Sequence, residues 1–303
     1  MSSEVVPGPG PTPAQWVAGA RPRTLPAALS PVIAASGIAV SERGFSAPAA
    51  LLALVVSVAL QVGVNYANDY SDGIRGTDTV RVGPLRLVGS GLARPQSVRT
   101  AAFGCFGLAA LAGLVLVVLT GHWWLLAVGA ACVVAAWYYT GGKKPYGYLG
   151  LGELFVFVFF GLVAVGGTAY VQVGRISPAA LLTGVGIGAL ACAILVANNL
   201  RDITGDTAVG KRTLATRLGD ARTRQLYLVL VALAAAMIIV VAALTSWWAL
   251  LGLAGLVLIV PAVRVVRSGG GGRDLITVLK GTGVAELASA VAFTAGLVIA
   301  TLR

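Results

Sequence analysis

The sequence predicts an all-α integral membrane protein, a bundle of about nine transmembrane helices, and three observations carry that prediction. Of 303 residues, 57% are hydrophobic and 11% are charged, whereas a soluble domain carries about 25% charged residues. The apolar residues fall in long runs at 51–60, 108–119, 155–170 and 226–244, the last of 19 residues exceeding the ~18 that mark a membrane-spanning helix. The basic residues gather in alternate loops, as they do when a chain is threaded repeatedly through a bilayer.

Residues 1–15 are rich in Pro and Gly, with no basic cluster leading into an apolar stretch. They are expected to be a flexible tail and not a secretory signal, ending at an interfacial Trp16. Residues 16–303 are expected to form a single transmembrane domain. Its first span, 24–40, is short and holds Pro26 and Pro31, whose freed backbone groups neighbouring helices can satisfy. Spans at 48–67 and 99–119 enclose two of the apolar runs. The fourth, 123–140, opens at Trp123 and Trp124. Spans 152–172 and 178–198 follow, then 224–244. The eighth, 247–266, opens at Trp247 and Trp248. A glycine-rich loop, SGGGG at 268–272, precedes the last at 284–302.

With the N-terminus inside, 19 of the 22 Lys and Arg residues lie in inner loops, leaving Arg43, Arg175 and Arg303 outside. Basic residues are retained on the cytoplasmic side, and both tryptophan pairs then fall at the outer interface, where indoles prefer to sit. A bacterial plasma-membrane protein with cytoplasmic active-site loops is the expectation. The formal net charge of +11 is topological and does not mark a nucleic-acid binder. The single histidine, His122, excludes a histidine-based metal site or a Ser–His relay. Cys105, Cys132 and Cys192 lie in apolar runs without CxxC spacing and read as small buried hydrophobes. No glycine-rich nucleotide loop is present.

Acidic placement is the strongest functional clue. Five of the eleven carboxylates sit in two short segments, each at the inner end of a span. The first runs from Asn65 through Asn68, Asp69, Tyr70, Asp72 and Arg75 to Asp78. The second runs from Asn198 and Asn199 through Arg201 and Asp202 to Asp206, followed by Lys211 and Arg212. If the helices continue, Asn65, Asp69 and Asp72 share one face, as do Asn198, Asp202 and Asp206. Both segments contain Asn-x-x-x-Asp, which suggests two related four-helix halves plus one helix. Facing carboxylates repel unless cations sit between them. Carboxylates with amide oxygens are hard ligands suited to Mg²⁺, which binds through few protein groups plus substrate phosphates. Arg75, Arg201, Lys211 and Arg212 could hold the remaining diphosphate oxygens. The pattern points to ionisation of a diphosphate leaving group beneath an apolar chamber. Helix capping and pairing with loop arginines is the bland reading for any single aspartate, but it explains two phased sets poorly.

At these residues the sequence resembles the UbiA superfamily of intramembrane prenyltransferases. Four segments carry the likeness: Arg21-Pro-Arg-Thr-Leu-Pro26; the stretch from Asn65 to Asp78; Lys144-Pro-Tyr-Gly-Tyr148 with Gly150-Leu-Gly-Glu153; and Asn198-Asn-Leu-Arg-Asp-Ile through Gly219. The long first motif, with its third acid Asp78, looks more like the 1,4-dihydroxy-2-naphthoate branch than the 4-hydroxybenzoate branch. The resemblance implies that Asp69, Asp72, Asp202 and Asp206 hold Mg²⁺ and a polyprenyl diphosphate, assisted by Asn65, Asn68, Arg201 and Lys211. A family Tyr-x-x-x-Lys element matches Tyr139 and Lys143; because Lys144 follows, either lysine could face the cavity. It also implies prenylation of the naphthoate with loss of CO₂, giving demethylmenaquinone. Another acceptor within the superfamily is one rival; a transporter is the other, and clustering of the ionisable residues at one face argues against it. Arg21 and Arg23 are either partners for the acceptor carboxylate or topology anchors. Tyr70 and Tyr146 are either stacking surfaces for an aromatic acceptor or interfacial residues. Glu153 reads equally as an ion-pair partner and as a handler of an acceptor proton. Glu286, slightly inside the last span, is expected to have a partner or to snorkel.

Overall fold

The computed structural model describes residues 10–76 and 85–303. Asp78 and Arg81 lie outside the described residues. The helices, in order, are α1 (Pro13–Gly19), α2 (Pro26–Ser41), α3 (Ala47–Arg75), α4 (Pro95–Thr120) and α5 (Leu125–Tyr138). Then come α6 (Gly152–Val173), α7 (Pro178–Ala208), α8 (Leu214–Leu244), α9 (Trp247–Arg267) and α10 (Arg273–Leu302). No strand occurs among the described residues. Starts follow local chemistry: Ser46, Ser177 and Thr213 cap α3, α7 and α8 by accepting from backbone N–H groups one turn on, satisfying donors that the helix itself leaves orphaned.

The chain is a multi-pass membrane protein. Seven of these helices are long and apolar enough to cross a bilayer, or eight if the pair Pro13–Thr24 and Pro26–Ser41, bent by 53°, is one span. The expected count of nine is therefore not reached on length and composition. Helix α5, at 14 residues, extends only ~21 Å, short of the ~30 Å hydrocarbon core. Residues 1–9 of the expected tail lie outside the described residues. Residues 13–15 are helical, not tail, held by a reciprocal Thr12/Gln15 cap. Trp16 packs edge-on against Tyr66, with ring centres 5.6 Å apart.

Four helices extend beyond the spans expected from apolar character, and two of the extensions carry the Asn/Asp segments. Helices α3 and α7 run on past their apolar stretches to Arg75 and Ala208, so both Asn/Asp segments are helical. Helix α8 starts ten residues earlier than expected and kinks at Gly219, where φ 75 and ψ 173 break the helical path. Helix α10 likewise begins at Arg273.

Helix α7 is the axis of the bundle. Of its apolar window 72% is buried, against no more than 44% in any other spanning helix. Its Ala189, Ala193, Val196 and Ala197 pack against Tyr227 and Ala234 of α8, Ala262 of α9 and Ala285 of α10. Small residues let membrane helices approach closely. A Cβ on Gly161 of α6 would lie 2.5 Å from the carbonyl oxygen of Gly184 on α7. At that contact α6 widens into a π-helical stretch, Phe157–Val163. A separate core joins Tyr66 and Ala67 of α3 to Val98, Ala102 and Phe106 of α4. Between these two cores the helices leave a chamber.

Candidate functional site

The chamber has a volume of about 590 Å³ and two unlike ends. Its walls are apolar where α4, α5 and α6 contribute Val117, Val133, Phe155 and Phe159. Its other end is polar, where Asn65, Asn68 and Asp72 of α3 face Asn198 and Asn199 of α7, with Arg21, Arg86 and Lys211 at the margin. Segments 133 residues apart in sequence thus meet at one cavity mouth.

Helix α3 does not present its acids on one face to the cavity. Asn65, Asn68 and Asp72 line the chamber, but Asp69 does not. Asp69 is 1% exposed and turns towards the segment before α4. There it accepts the backbone N–H of Leu87 at 2.6 Å and of Val88 at 3.0 Å. Asp72 accepts from the Tyr148 hydroxyl at 2.5 Å and pairs with Arg86 at 3.4 Å. Asn68 accepts from Thr140 at 2.7 Å. Asn65 donates to the carbonyl of Ala20 and to the Thr24 hydroxyl, at 2.8 and 2.9 Å. This seals the segment before α2 over the mouth. Arg21, within that segment, has a left-handed backbone with φ 54 and ψ 70, a conformation rarely adopted outside glycine. Its side chain lines the polar end.

Helix α7 neutralises its acids locally. Arg201 donates to both oxygens of Asp202, at 2.7 and 2.8 Å, and to the Asn198 side-chain oxygen at 2.9 Å. Asp206 pairs with Lys211 at 3.6 Å. Neither Asp202 nor Asp206 lines the chamber, whereas Asn198, Asn199 and Lys211 do.

The remaining expectations divide cleanly. Tyr139 lines the cavity, but Lys143 and Lys144 are both exposed and neither reaches it. The reason is the turn after α5, which Arg75 ties down by donating to the carbonyls of Thr140 and Gly142. Arg75 is thereby a loop clamp and does not line the chamber. Arg201 does not line it either. Tyr70 stacks on Trp137, with centroids 6.1 Å apart, under the Arg99 guanidinium, and points away from the chamber.

Sequence reasoning gave no site role to Tyr148, Arg86 or Phe155, all of which line the chamber. Tyr146 stacks on Phe155 at 4.0 Å, its hydroxyl donates to the Ala135 carbonyl, and burial pushes its phenol above the ordinary value, so it stays neutral. Glu153 accepts from Asn199 at 2.9 Å and thereby orients an amide of the cavity wall; it forms no ion pair with Lys143 or Lys144. Glu286, expected to snorkel or pair, is 0% exposed, and neither of its oxygens has a hydrogen-bond partner among the described residues. Tyr148 sits with Tyr146 on a single 3-10 turn, Tyr146–Leu149, too short for any periodicity to announce it.

The donors can be tested against Mg²⁺. Among the described residues no three acidic, His or Cys side chains converge on one point, and so these residues form no all-protein cage. Mg²⁺ does not need one: it is commonly held by one or two carboxylates together with substrate phosphates. Asp72, with the amide oxygens of Asn68 and Asn198 nearby on the cavity wall, is a hard-oxygen set of that kind.

The UbiA prenyltransferase family matches the chain over residues 28–284. The 1,4-dihydroxy-2-naphthoate octaprenyltransferase of Mycobacterium tuberculosis is 57% identical over 289 residues, covering 95% of this chain and 98% of that protein. Among solved structures, a UbiA homologue from Aeropyrum pernix K1 superposes with a TM-score of 0.68 at 16% identity, over 90% of this chain and 97% of its own. A UbiA homologue from Archaeoglobus fulgidus bound to DMAPP and Mg²⁺ gives 0.63 at 14% identity, over 94% and 99%. At these identities both solved structures speak to the fold alone.

Proposed function

The chain belongs to the UbiA prenyltransferase family, and on that premise we propose that it moves a polyprenyl group from polyprenyl diphosphate to 1,4-dihydroxy-2-naphthoate. CO₂ and diphosphate leave, and demethylmenaquinone forms. The observation that supports this reading is the two-ended chamber: a hydrocarbon-lined volume capped by carboxylate, amides and cations from both Asn/Asp segments. The 57% identity to a protein of that name over nearly the whole chain supports the choice of acceptor.

The residues divide the work between them. The apolar wall of α4, α5 and α6 takes the prenyl chain. Lys211 and Arg86, both at the mouth, hold diphosphate oxygens and offset the negative charge that grows as the allylic C–O bond breaks. Asn65 and Asn68 complete the polar wall. Asp72 and the Asn198 and Asn68 oxygens would hold Mg²⁺, and Asp202 and Asp206, paired here with Arg201 and Lys211, would be further carboxylate donors. When bound, Mg²⁺ supplies Lewis-acid stabilisation of the departing diphosphate. The aromatic row Tyr139, Tyr146 and Phe155 borders the cavity beside this end, excluding water from the allylic cation and offering ring faces to a planar acceptor. Arg21 is placed to meet the acceptor carboxylate.

The reading places the whole activity in one domain, residues 16–303. It also orients the Asn/Asp ends of α3 and α7 to the cytoplasmic side of a bacterial plasma membrane, because 19 of 22 basic residues then lie inside. Purified protein supplied with a polyprenyl diphosphate, Mg²⁺ and either dihydroxynaphthoate or 4-hydroxybenzoate decides the acceptor. Demethylmenaquinone from the first alone is expected. Prenylated benzoate alone would overturn the assignment, and activity undiminished by chelation would overturn the role of the metal.

A further inference from the structure

We propose that Tyr148 is the positioning residue that ties the two Asn/Asp segments into one diphosphate-holding wall; this rests on the function proposed above. Tyr148 lies on the turn between α5 and α6 and lines the chamber at its polar end. Its hydroxyl donates to the Asp72 Oδ1 at 2.5 Å, while Arg86 reaches the other oxygen at 3.4 Å. Held at both oxygens, the carboxylate cannot rotate freely. The ring is engaged from both segments. The Lys211 ammonium lies over it at 4.6 Å and the Arg75 guanidinium at 5.4 Å from its centre, within the ~6 Å range of cation–π attraction. The backbone of the turn is bound as well. Arg212 donates its N–H to the Tyr148 carbonyl at 3.1 Å, and Arg217 donates to the Leu149 carbonyl at 2.8 Å. One side chain therefore spans from the end of α3 to the loop after α7, with its two chemical halves doing different work. The hydroxyl aims Asp72, and the ring sets where two cations stand.

That division makes the role separable from simple packing. Tyr148→Phe keeps the ring and removes the hydroxyl; Tyr148→Leu removes both. Partners that orient a metal ligand typically contribute tenfold or more to metal affinity, so Tyr148→Phe is expected to raise the Mg²⁺ concentration for half-maximal prenyl transfer about tenfold. Calorimetric binding of inorganic pyrophosphate without Mg²⁺ is expected to stay within about twofold for Tyr148→Phe and to weaken about fivefold for Tyr148→Leu. In an Asp72→Asn background, Tyr148→Phe is expected to add less than about a twofold further loss, because the hydroxyl then has no carboxylate to aim.

An unchanged Mg²⁺ requirement in Tyr148→Phe, or equal metal-free pyrophosphate affinity in Phe and Leu variants, would overturn the proposal. Should Tyr148→Leu fail to fold, the Mg²⁺ requirement of Tyr148→Phe decides alone. A wild-type protein with neither Mg²⁺ dependence nor pyrophosphate binding would instead sink the underlying function, before any variant is compared.

Discussion

The two Asn/Asp segments share a spacing in sequence and differ in what they do with their charge. On α3, Asp69 is committed to two backbone N–H groups of the chain before α4, and Asp72 to a tyrosine and an arginine. All of these partners come from elsewhere in the chain. On α7, Asp202 and Asp206 are neutralised by Arg201 and Lys211, near neighbours in sequence. The first segment therefore holds the architecture of the cavity mouth. On the proposed function, the second stores carboxylates against cations that a metal and an anionic substrate would displace. The same motif is used once as a brace and once as a reserve of charge.

Substitutions that separate these uses rank by size. The largest effects fall on turnover. Asp72→Ala and Asp202→Ala are each expected to lower kcat roughly 10²–10³-fold, the usual loss when a group stabilising transition-state charge is removed. Asp202→Ala should do so with little change in melting temperature, because its carboxylate pairs with Arg201, the next residue of the same helix. Full activity in either variant would break the catalytic half of the comparison.

Next in size is Asp69→Ala. It leaves one buried and one half-buried N–H group without an acceptor, costing about 1–3 kcal/mol, and is expected to lower the melting temperature as well as activity. Asp69→Asn keeps one acceptor and should recover about half of that loss. A melting temperature for Asp69→Ala equal to that of Asp202→Ala would mean the brace does not exist. The smallest effect is a control outside both segments. Glu286→Leu removes a fully buried carboxyl whose oxygens have no hydrogen-bond partner among the described residues. It should stabilise the protein by about 1 kcal/mol and leave turnover unchanged. A loss of turnover would instead bring Glu286 into the chemistry.

Legibility followed the reach of the forces involved. Spans such as α4 and α7 were plain because a run of apolar residues has one low-energy solvent, the bilayer. The helical continuation of α3 and α7 through their polar ends was legible from the i, i+4 spacing of Asn and Asp. Helix α5 came out shorter than the span read for it because apolar character says nothing of where a helix stops. The two exposed lysines were misplaced for a different reason. Their direction depends on Arg75 clamping the carbonyls of Thr140 and Gly142, a contact across 65 and 67 residues of chain. Tyr148 was invisible as a site residue because a single turn has no periodicity.

Sequence alone determined that this chain lives in a membrane, that its helices are threaded with a charge bias, and that two distant helix ends hold oxygen-rich segments. Those are properties of composition and local spacing, which act over one or two helical turns. Only the tertiary structure decided which of those oxygens face a common chamber, which are spent on the backbone, and which tyrosine joins the two ends. Such outcomes depend on the angle at which helices pack and on where a turn between them lands, and no pattern within one helix encodes the position of its neighbour.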